Sequence, residues 1–239
     1  MVSRNGYDYV VNGINLDAKS ANELFQFMAK EYDRKDTRSS IQDELKSEII
    51  ADAIPEKVID KIVETYNHSK NNSDDWVYHM QYAINEHKEE LSSAVFEQAM
   101  QQDILDGVDY LGTPECFSAD KNSKAHVKFP VEIKYDEMYM ILAFRAGIQN
   151  KISAEDLLNA DILVSFNVYA NDKTELELTI ESSDLSENER TVSVPISEAE
   201  SLILLNIANE EFERINDGMS LDDCLNPSKQ TKELYEPEI

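Results

Sequence analysis

Carboxylate side chains recur at alternate positions in the stretch TELELTIE, residues 174–181. As a β-strand, this stretch places Glu175, Glu177 and Glu181 on one face and its leucine and isoleucine side chains on the other. Neighbours on one strand face are roughly 6.6 Å apart, so Glu175 and Glu177 form a row of like charges. Such a row favours a positively charged partner surface, because like charges side by side are otherwise mildly destabilising.

Six further carboxylates are candidate partner-binding residues: Glu187 and Glu189 in the turn after the strand, Glu210 and Glu213 on the last helix, and Asp103 and Asp106 from an earlier acidic cluster. Glu210 and Glu213 share a helix face because they are three residues apart. DNA carries one phosphate per roughly 3.4 Å of each strand, which is denser than one row of glutamates. Imitation of a phosphate backbone therefore requires the strand acids and the helix acids on one surface.

A second pattern, Glu132-Ile133-Lys134 with Asp120 twelve residues upstream, has the form D…ExK. It resembles the motif of the restriction-endonuclease-like nucleases, and this resemblance, confined to residues 120–134, implies two carboxylates that bind Mg²⁺ and a lysine that steadies the attacking water. The competing interpretation is an opposite-charge pair on an exposed strand face, with Val131 and Ile133 pointing inward. A nuclease also needs a basic surface for DNA, and the segments flanking this pattern are acidic.

Other catalytic and metal-binding signatures are absent from the sequence. The six glycines form neither GxGxxG nor a Walker loop, and there is no HExxH or CxxC. Cys116 and Cys224 are 108 positions apart, so neither a metal site nor a disulfide framework is indicated. We therefore expect a protein without enzymatic activity, metal or cofactor.

The charge balance excludes one large class of function. The 239 residues include 48 acidic and 22 basic residues, net −26, and a nucleic-acid binder instead needs clustered Lys and Arg. Residues 71–110 carry net −8 and residues 152–217 net −13, so the acids are clustered.

The longest apolar run, MYMILAF at 138–144, is too short to cross a bilayer, and there is no signal-peptide pattern. A cytoplasmic protein without a membrane partner is expected.

The predicted helices and strands indicate an α+β fold. The N-terminal half is largely helical, and the second half is an antiparallel sheet with a C-terminal helix packed on it. Residues 1–110 are predicted to be mainly helical after a short hairpin around Asn12-Gly13, and residues 227–239 to form a loose tail. Residues 111–226 hold the predicted sheet and helix, although the whole chain is also compatible with one composite domain. The five predicted strands are HVKFPVEIKY, MYMILAF, DILVSFNVYA, TELELTIE and RTVSVPI, and the last helix begins at a capping box of Ser197 and Glu200.

These observations favour a non-enzymatic interaction protein that binds and inhibits a basic nucleic-acid-handling protein, such as a nuclease, a restriction enzyme or a CRISPR effector, by nucleic-acid mimicry. Inhibitors that phages and mobile elements carry against host defence often have this acidic character, which is an analogy of composition. Two alternatives stay open. One is an oligomeric scaffold whose acidity only gives solubility, with an apolar interface around Phe25 and Trp76. The other is the Mg²⁺-dependent nuclease. The sequence leaves the oligomeric state undetermined.

Overall fold

The computed structural model describes residues 2–5, 8–11, 14–69, 75–119, 124–147, 160–171, 173–181 and 190–226. The chain forms two compact units, Met1–Glu44 with Ala51–Ala94 and Leu45–Ile50 with Val95–Ile239. No helix within the described ranges combines the length and the apolar character needed to cross a membrane.

The first unit is mainly helical. Its elements are, in chain order, β1 (Val2–Asn5), β2 (Asp8–Val11), β3 (Ile14–Leu16), α1 (Ala18–Leu45), the end of α2 (Glu48–Ala53), α3 (Glu56–Ser69), α4 (Trp76–Glu86) and the start of α5 (Lys88–Gln101). The three strands form an antiparallel sheet in which Val11 pairs with Ile14, which confirms the predicted hairpin. Its central residues Asn12 and Gly13 lie outside the described residues.

Basic side chains in the first unit are held by neighbouring acids. Arg34 of α1 donates to both carboxylate oxygens of Asp60 on α3, at 2.7 and 2.8 Å, and Lys30 donates to the same carboxylate. The hydrogen bonds from Arg34 and then from Lys30 lower the pKa of Asp60 to about 2. Arg38 pairs with Glu56 at the start of α3. These contacts join α1 to α3.

The second unit contains the larger sheet. Its elements after α5 are a 3-10 helix (Ile104–Gly107), β4 (Val108–Leu111), β5 (Glu115–Phe117), β6 (His126–Ile133), α6 (Glu137–Arg145), β7 (Asp161–Tyr169), β8 (Thr174–Glu181), β9 (Arg190–Val194), α7 (Glu198–Ile215) and α8 (Leu221–Leu225). The strands pair antiparallel in the order β4-β6-β7-β8-β9, and β5 pairs with β6 beside β4. Helices in both halves and this antiparallel sheet confirm the α+β prediction.

One face of the larger sheet forms the core of the second unit. Phe129, Phe166 and Leu178, from three adjacent strands, are fully buried on this inner face. Helix α7 covers it, because the Thr174 Oγ1 atom on the same face lies 2.6 Å from the Ser201 Oγ atom of α7. Burying each large apolar side chain stabilises the fold by about 1.5–3 kcal/mol, so this face fixes the orientation of β8.

The segment MYMILAF was predicted to be a strand, and that prediction is wrong, because it lies within helix α6. Every residue from Met138 to Arg145 except Tyr139 is buried. An element buried on all sides has no apolar–polar period, so a short apolar run cannot be assigned to helix or strand by pattern alone. The fifth strand of residues 111–226 is instead β5, which is not among the predicted strands.

A buried ion pair joins α6 to the beginning of α7. The Arg145 guanidinium is fully buried and donates to both carboxylate oxygens of Glu200, at 3.1 and 2.9 Å. It also donates to the backbone carbonyls of Ala99, Gln102 and Pro195. Glu200 completes the predicted capping box with Ser197 and accepts from the Ile104 N–H at 3.3 Å.

The segment Leu45–Ile50 belongs to the second unit although it lies between parts of the first. The buried Ser47 hydroxyl donates to Glu137 Oε1 at 2.6 Å, and the Ile49 N–H donates to the same oxygen at 3.1 Å. Glu137 is in the first turn of α6, so this segment is held against the start of that helix.

Candidate functional site

The strand TELELTIE has the predicted orientation. It forms β8 between β7 and β9, and Leu176, Leu178 and Ile180 are buried on the inner face. Glu175, Glu177 and Glu181 therefore lie on the outer face of the sheet. Glu181 is exposed, whereas Glu175 and Glu177 are only half-exposed.

Glu175 already has partners within its own hairpin. It accepts a hydrogen bond from the Tyr169 hydroxyl at 2.9 Å and another from the Lys173 ammonium group. The hydrogen bond from Lys173, and then the one from Tyr169, lower the pKa of Glu175. Burial, together with the Glu175 carboxylate, raises the pKa of Tyr169 to about 12. Glu175 is thus a satisfied member of the sheet and has little free capacity for a partner.

The strand acids and the helix acids face in opposite directions. Helix α7 packs on the inner face through Leu204, Ala208 and Phe212, so Glu210 and Glu213 point away from the sheet on its other side. The glutamates of β8 lie on the outer face, and the sheet stands between the two sets. These acids therefore do not form the single surface that imitation of a phosphate backbone requires.

Helix α7 presents a mixed apolar and acidic surface to solvent, which we call the α7 outer face. Three apolar side chains on it, Leu202, Ile203 and Ile207, are 59%, 44% and 37% exposed. The exposed carboxylates of Glu198, Glu210 and Glu213 flank them along the helix. None of these three carboxylates makes an ion pair within the described part of the chain.

The basic residue nearest along the helix does not neutralise this face. Arg214 makes a bidentate contact with Glu211, one residue from Glu210 on the helix. The hydrogen bond from Arg214 lowers the pKa of Glu211. The α7 outer face therefore combines unpaired negative charge with unburied apolar surface.

Asp103 and Asp106 lie at the β4 edge of the sheet. The Asp103 carboxylate accepts from the Leu105 N–H at 3.0 Å and caps the 3-10 helix. This edge is close to Glu200, which accepts from Ile104, but Glu210 lies about 15 Å further along α7. Asp103 is thus a structural cap, and the exposed Asp106 is separate from Glu210 and Glu213.

Tyrosines accompany the acids at this edge, a feature that the sequence reasoning missed. Burial, with the charges of Asp106 and Glu137, raises the pKa of Tyr135, and burial with Glu132 and Asp136 raises that of Tyr139. The sequence shows this feature in the acidic stretch YDEMY, residues 135–139, which has a tyrosine at each end. Tyrosine is enriched in protein interfaces, because its ring supplies contact area and its hydroxyl a hydrogen bond.

The D…ExK pattern lies only partly within the described residues. Asp120 lies outside them, as do Glu187 and Glu189 of the acidic series. Glu132 is exposed, and the Lys134 ammonium group donates to the backbone carbonyl of Asp106 at 3.2 Å. Within the described ranges, no group of three His, Cys, Asp or Glu side chains is placed to hold a metal ion.

The comparisons with known proteins add no homologue from which a site could be transferred. No family model, no curated protein and no solved structure matches the chain.

Proposed function

We propose that this protein is a non-enzymatic interaction protein that binds a basic protein surface through the α7 outer face. The observation that carries the proposal is the arrangement of that face, in which unpaired carboxylates flank half-exposed leucine and isoleucine side chains. The partner class is a nucleic-acid-handling protein, such as a nuclease, a restriction enzyme or a CRISPR effector, because basic surfaces are characteristic of such proteins. Binding there inhibits the partner by obstructing its nucleic-acid site.

The distribution of charge supports a basic partner for the second unit. This unit contains 31 acidic and 12 basic residues, net −19, against net −7 for the first unit. Such a field attracts a basic protein from a distance and speeds association, and salt weakens the effect. About half of each apolar side chain on the α7 outer face is still exposed, so its burial contributes about 1 kcal/mol per residue. The acids therefore select the partner and the apolar residues hold it.

Immobilised protein, incubated with lysate of the native host and washed at low and high salt, tests the proposal. We expect a basic nucleic-acid-binding protein that is released by salt and displaced by added DNA. With that protein purified, the double charge reversal Glu210→Lys and Glu213→Lys is expected to weaken binding roughly 10–100-fold.

A matched control distinguishes the two faces of the sheet. The double reversal Glu177→Lys and Glu181→Lys changes the net charge by the same amount on the outer face of β8, and we expect a loss of less than about 3-fold from it. Equal losses from both variants would mean that overall charge alone acts, which contradicts the proposed surface. A loss confined to the β8 variant would move the site to the strand row.

A scaffold function is the second candidate, and it is favoured by exposed aromatic side chains in the first unit. Trp76 at the start of α4 is 58% exposed and borders a groove of about 550 Å³ that is also lined by Val77, Met80 and Ile84. A scaffold would self-associate through this groove independently of salt. Sedimentation at two salt concentrations tests it, since the substitution Trp76→Ser would then abolish the oligomer.

A further inference from the structure

Two cysteines that are remote in sequence meet at the edge of the larger sheet. The sulfur atoms of Cys116 and Cys224 are 3.2 Å apart, and both residues are free thiols. Cys116 is the middle residue of β5, where it lies opposite the buried Val127 of β6 and shares its face. Cys224 is in the last turn of α8, which is anchored by the buried Leu221 and Leu225.

We propose that Cys116 and Cys224 form a reversible dithiol–disulfide site that reacts with small-molecule disulfides of the glutathione type. The inference is independent of the partner proposed above, because it rests on the sheet edge and α8 and not on the α7 outer face. The two sulfurs are within about 1.2 Å of the roughly 2.05 Å length of a disulfide bond, so small side-chain rotations suffice to close it.

The two thiols have different roles in the exchange. Cys116 is exposed, so an incoming disulfide reaches it first. Burial, and then the hydrogen bond and charge of Cys116, raise the pKa of Cys224 to about 11, which keeps that thiol protonated. Once Cys116 has reacted, its hydrogen bond and charge no longer act on Cys224, which leaves burial as the remaining cause of the raised pKa. Cys116 is therefore the attacking thiol and Cys224 the resolving one.

The exchange balances in two steps. The Cys116 thiolate attacks one sulfur of oxidised glutathione, forming a Cys116–glutathione mixed disulfide and releasing one glutathione thiolate. Cys224 then loses its proton to solvent, and its thiolate attacks the Cys116 sulfur and releases the second glutathione. The protein is oxidised by two electrons, and one oxidised glutathione is reduced to two thiols.

Closing this bond ties two small elements of the second unit together. Strand β5 pairs with β6 through only three residues, and α8 has five residues. The bond would close a loop from residue 116 to residue 224, which restricts the unfolded chain far more than the folded one. Oxidation is therefore expected to raise the melting temperature by roughly 5–15 °C.

The test is oxidation of the full-length protein with oxidised glutathione, followed by mass spectrometry and peptide mapping. The wild type is expected to lose two hydrogens and to give one linked peptide pair that contains Cys116 and Cys224. The variant Cys224→Ser is expected to hold a glutathione adduct on Cys116 at least about 10-fold longer than the wild type, because it lacks the resolving thiol. The variant Cys116→Ser is expected to react slowly, because Cys224 is half-buried.

Either of two results would overturn the proposal. One is a wild type that accumulates a stable glutathione adduct and no internal disulfide, and the other is a wild type that stays fully reduced while an unstructured peptide with both cysteines is oxidised. Circular dichroism of each variant before oxidation verifies that it is folded. Reduction of the linked form with dithiothreitol should return the original mass and melting temperature.

Discussion

Replacing Glu200 with glutamine removes the negative charge from the buried contact between α6 and α7 while keeping the shape of the side chain. The carboxylate accepts from the Arg145 guanidinium, from the Ser197 N–H and hydroxyl and from the Ile104 N–H. An amide offers one accepting oxygen, and its NH₂ group would face donors. Arg145 would keep its three backbone acceptors but would lose its only buried counter-ion among the described residues.

The expected cost follows from this geometry. Removing one partner of a buried, hydrogen-bonded ion pair destabilises a protein by about 3–5 kcal/mol, because the remaining charge is buried without compensation. The variant Glu198→Gln is the matched control, since Glu198 is exposed two residues earlier on the same helix. It should change the free energy of unfolding by no more than about 0.5 kcal/mol.

The loss should also depend on pH. Burial by itself raises the pKa of Glu200, but the hydrogen bonds from Arg145 and Ser197 outweigh it and leave the pKa below the ordinary value of 4.5. A carboxyl group with a lowered folded-state pKa contributes stability above its unfolded pKa and loses it as the pH falls through the folded pKa. The difference between wild type and Glu200→Gln is therefore largest at neutral pH and shrinks below about pH 4.5.

Urea unfolding followed by circular dichroism at pH 7 and at pH 3.5 measures both effects. We expect the midpoint to fall in Glu200→Gln with little change in the slope against urea. A loss below about 1 kcal/mol at pH 7, or an equal loss at both pH values, would refute the reasoning that the ion pair holds α7 in place.

Two further predictions concern other contacts. Asp60→Asn should destabilise the first unit by about 1 kcal/mol after allowance for solvent screening. The pKa of Asp60 is about 2 in the folded protein against an ordinary value of 3.8, so this stabilisation is present above pH 4 and is lost as the pH falls to 2. Thermal unfolding at pH 7 and pH 2.5 measures the difference. Gly107→Ala should cost about 1–3 kcal/mol in urea unfolding, because a Cβ atom there would lie 2.5–2.6 Å from the Met138 side chain, and the same substitution should cost less in a chain that already carries Met138→Ala.

The sequence predicts local features of the structure better than contacts between distant residues. The alternation in TELELTIE predicted β8 and its buried face correctly, because one apolar core imposes a period of two on a strand. The capping box of Ser197 and Glu200 was also predicted from a local pattern, because its two residues are three positions apart. The pairing of Glu200 with Arg145, 55 residues away, depends on topology that no local pattern contains.

The candidate site shows the same limit. The exposed position of Glu210 and Glu213 follows from helical spacing, and the structure places both on the solvent side of α7. Which acids share a surface depends on the face of the sheet that α7 covers, and the sequence leaves that open. Cys116 and Cys224 are an extreme case, since their 108-residue separation suggested no relation and the position of α8 beside β5 nevertheless brings their sulfurs to 3.2 Å.

The position of Leu45–Ile50 in the second unit has a consequence for the protein during its synthesis. Ser47 leaves the ribosome 90 residues before its partner Glu137. At about 5–20 residues per second, the segment waits roughly 5–18 s before α6 exists to receive it. During that interval the Ser47 hydroxyl and the Ile49 N–H lack the Glu137 carboxylate that accepts from both in the finished protein. The nascent chain therefore holds this segment without its partner helix, although its first unit already has all its residues.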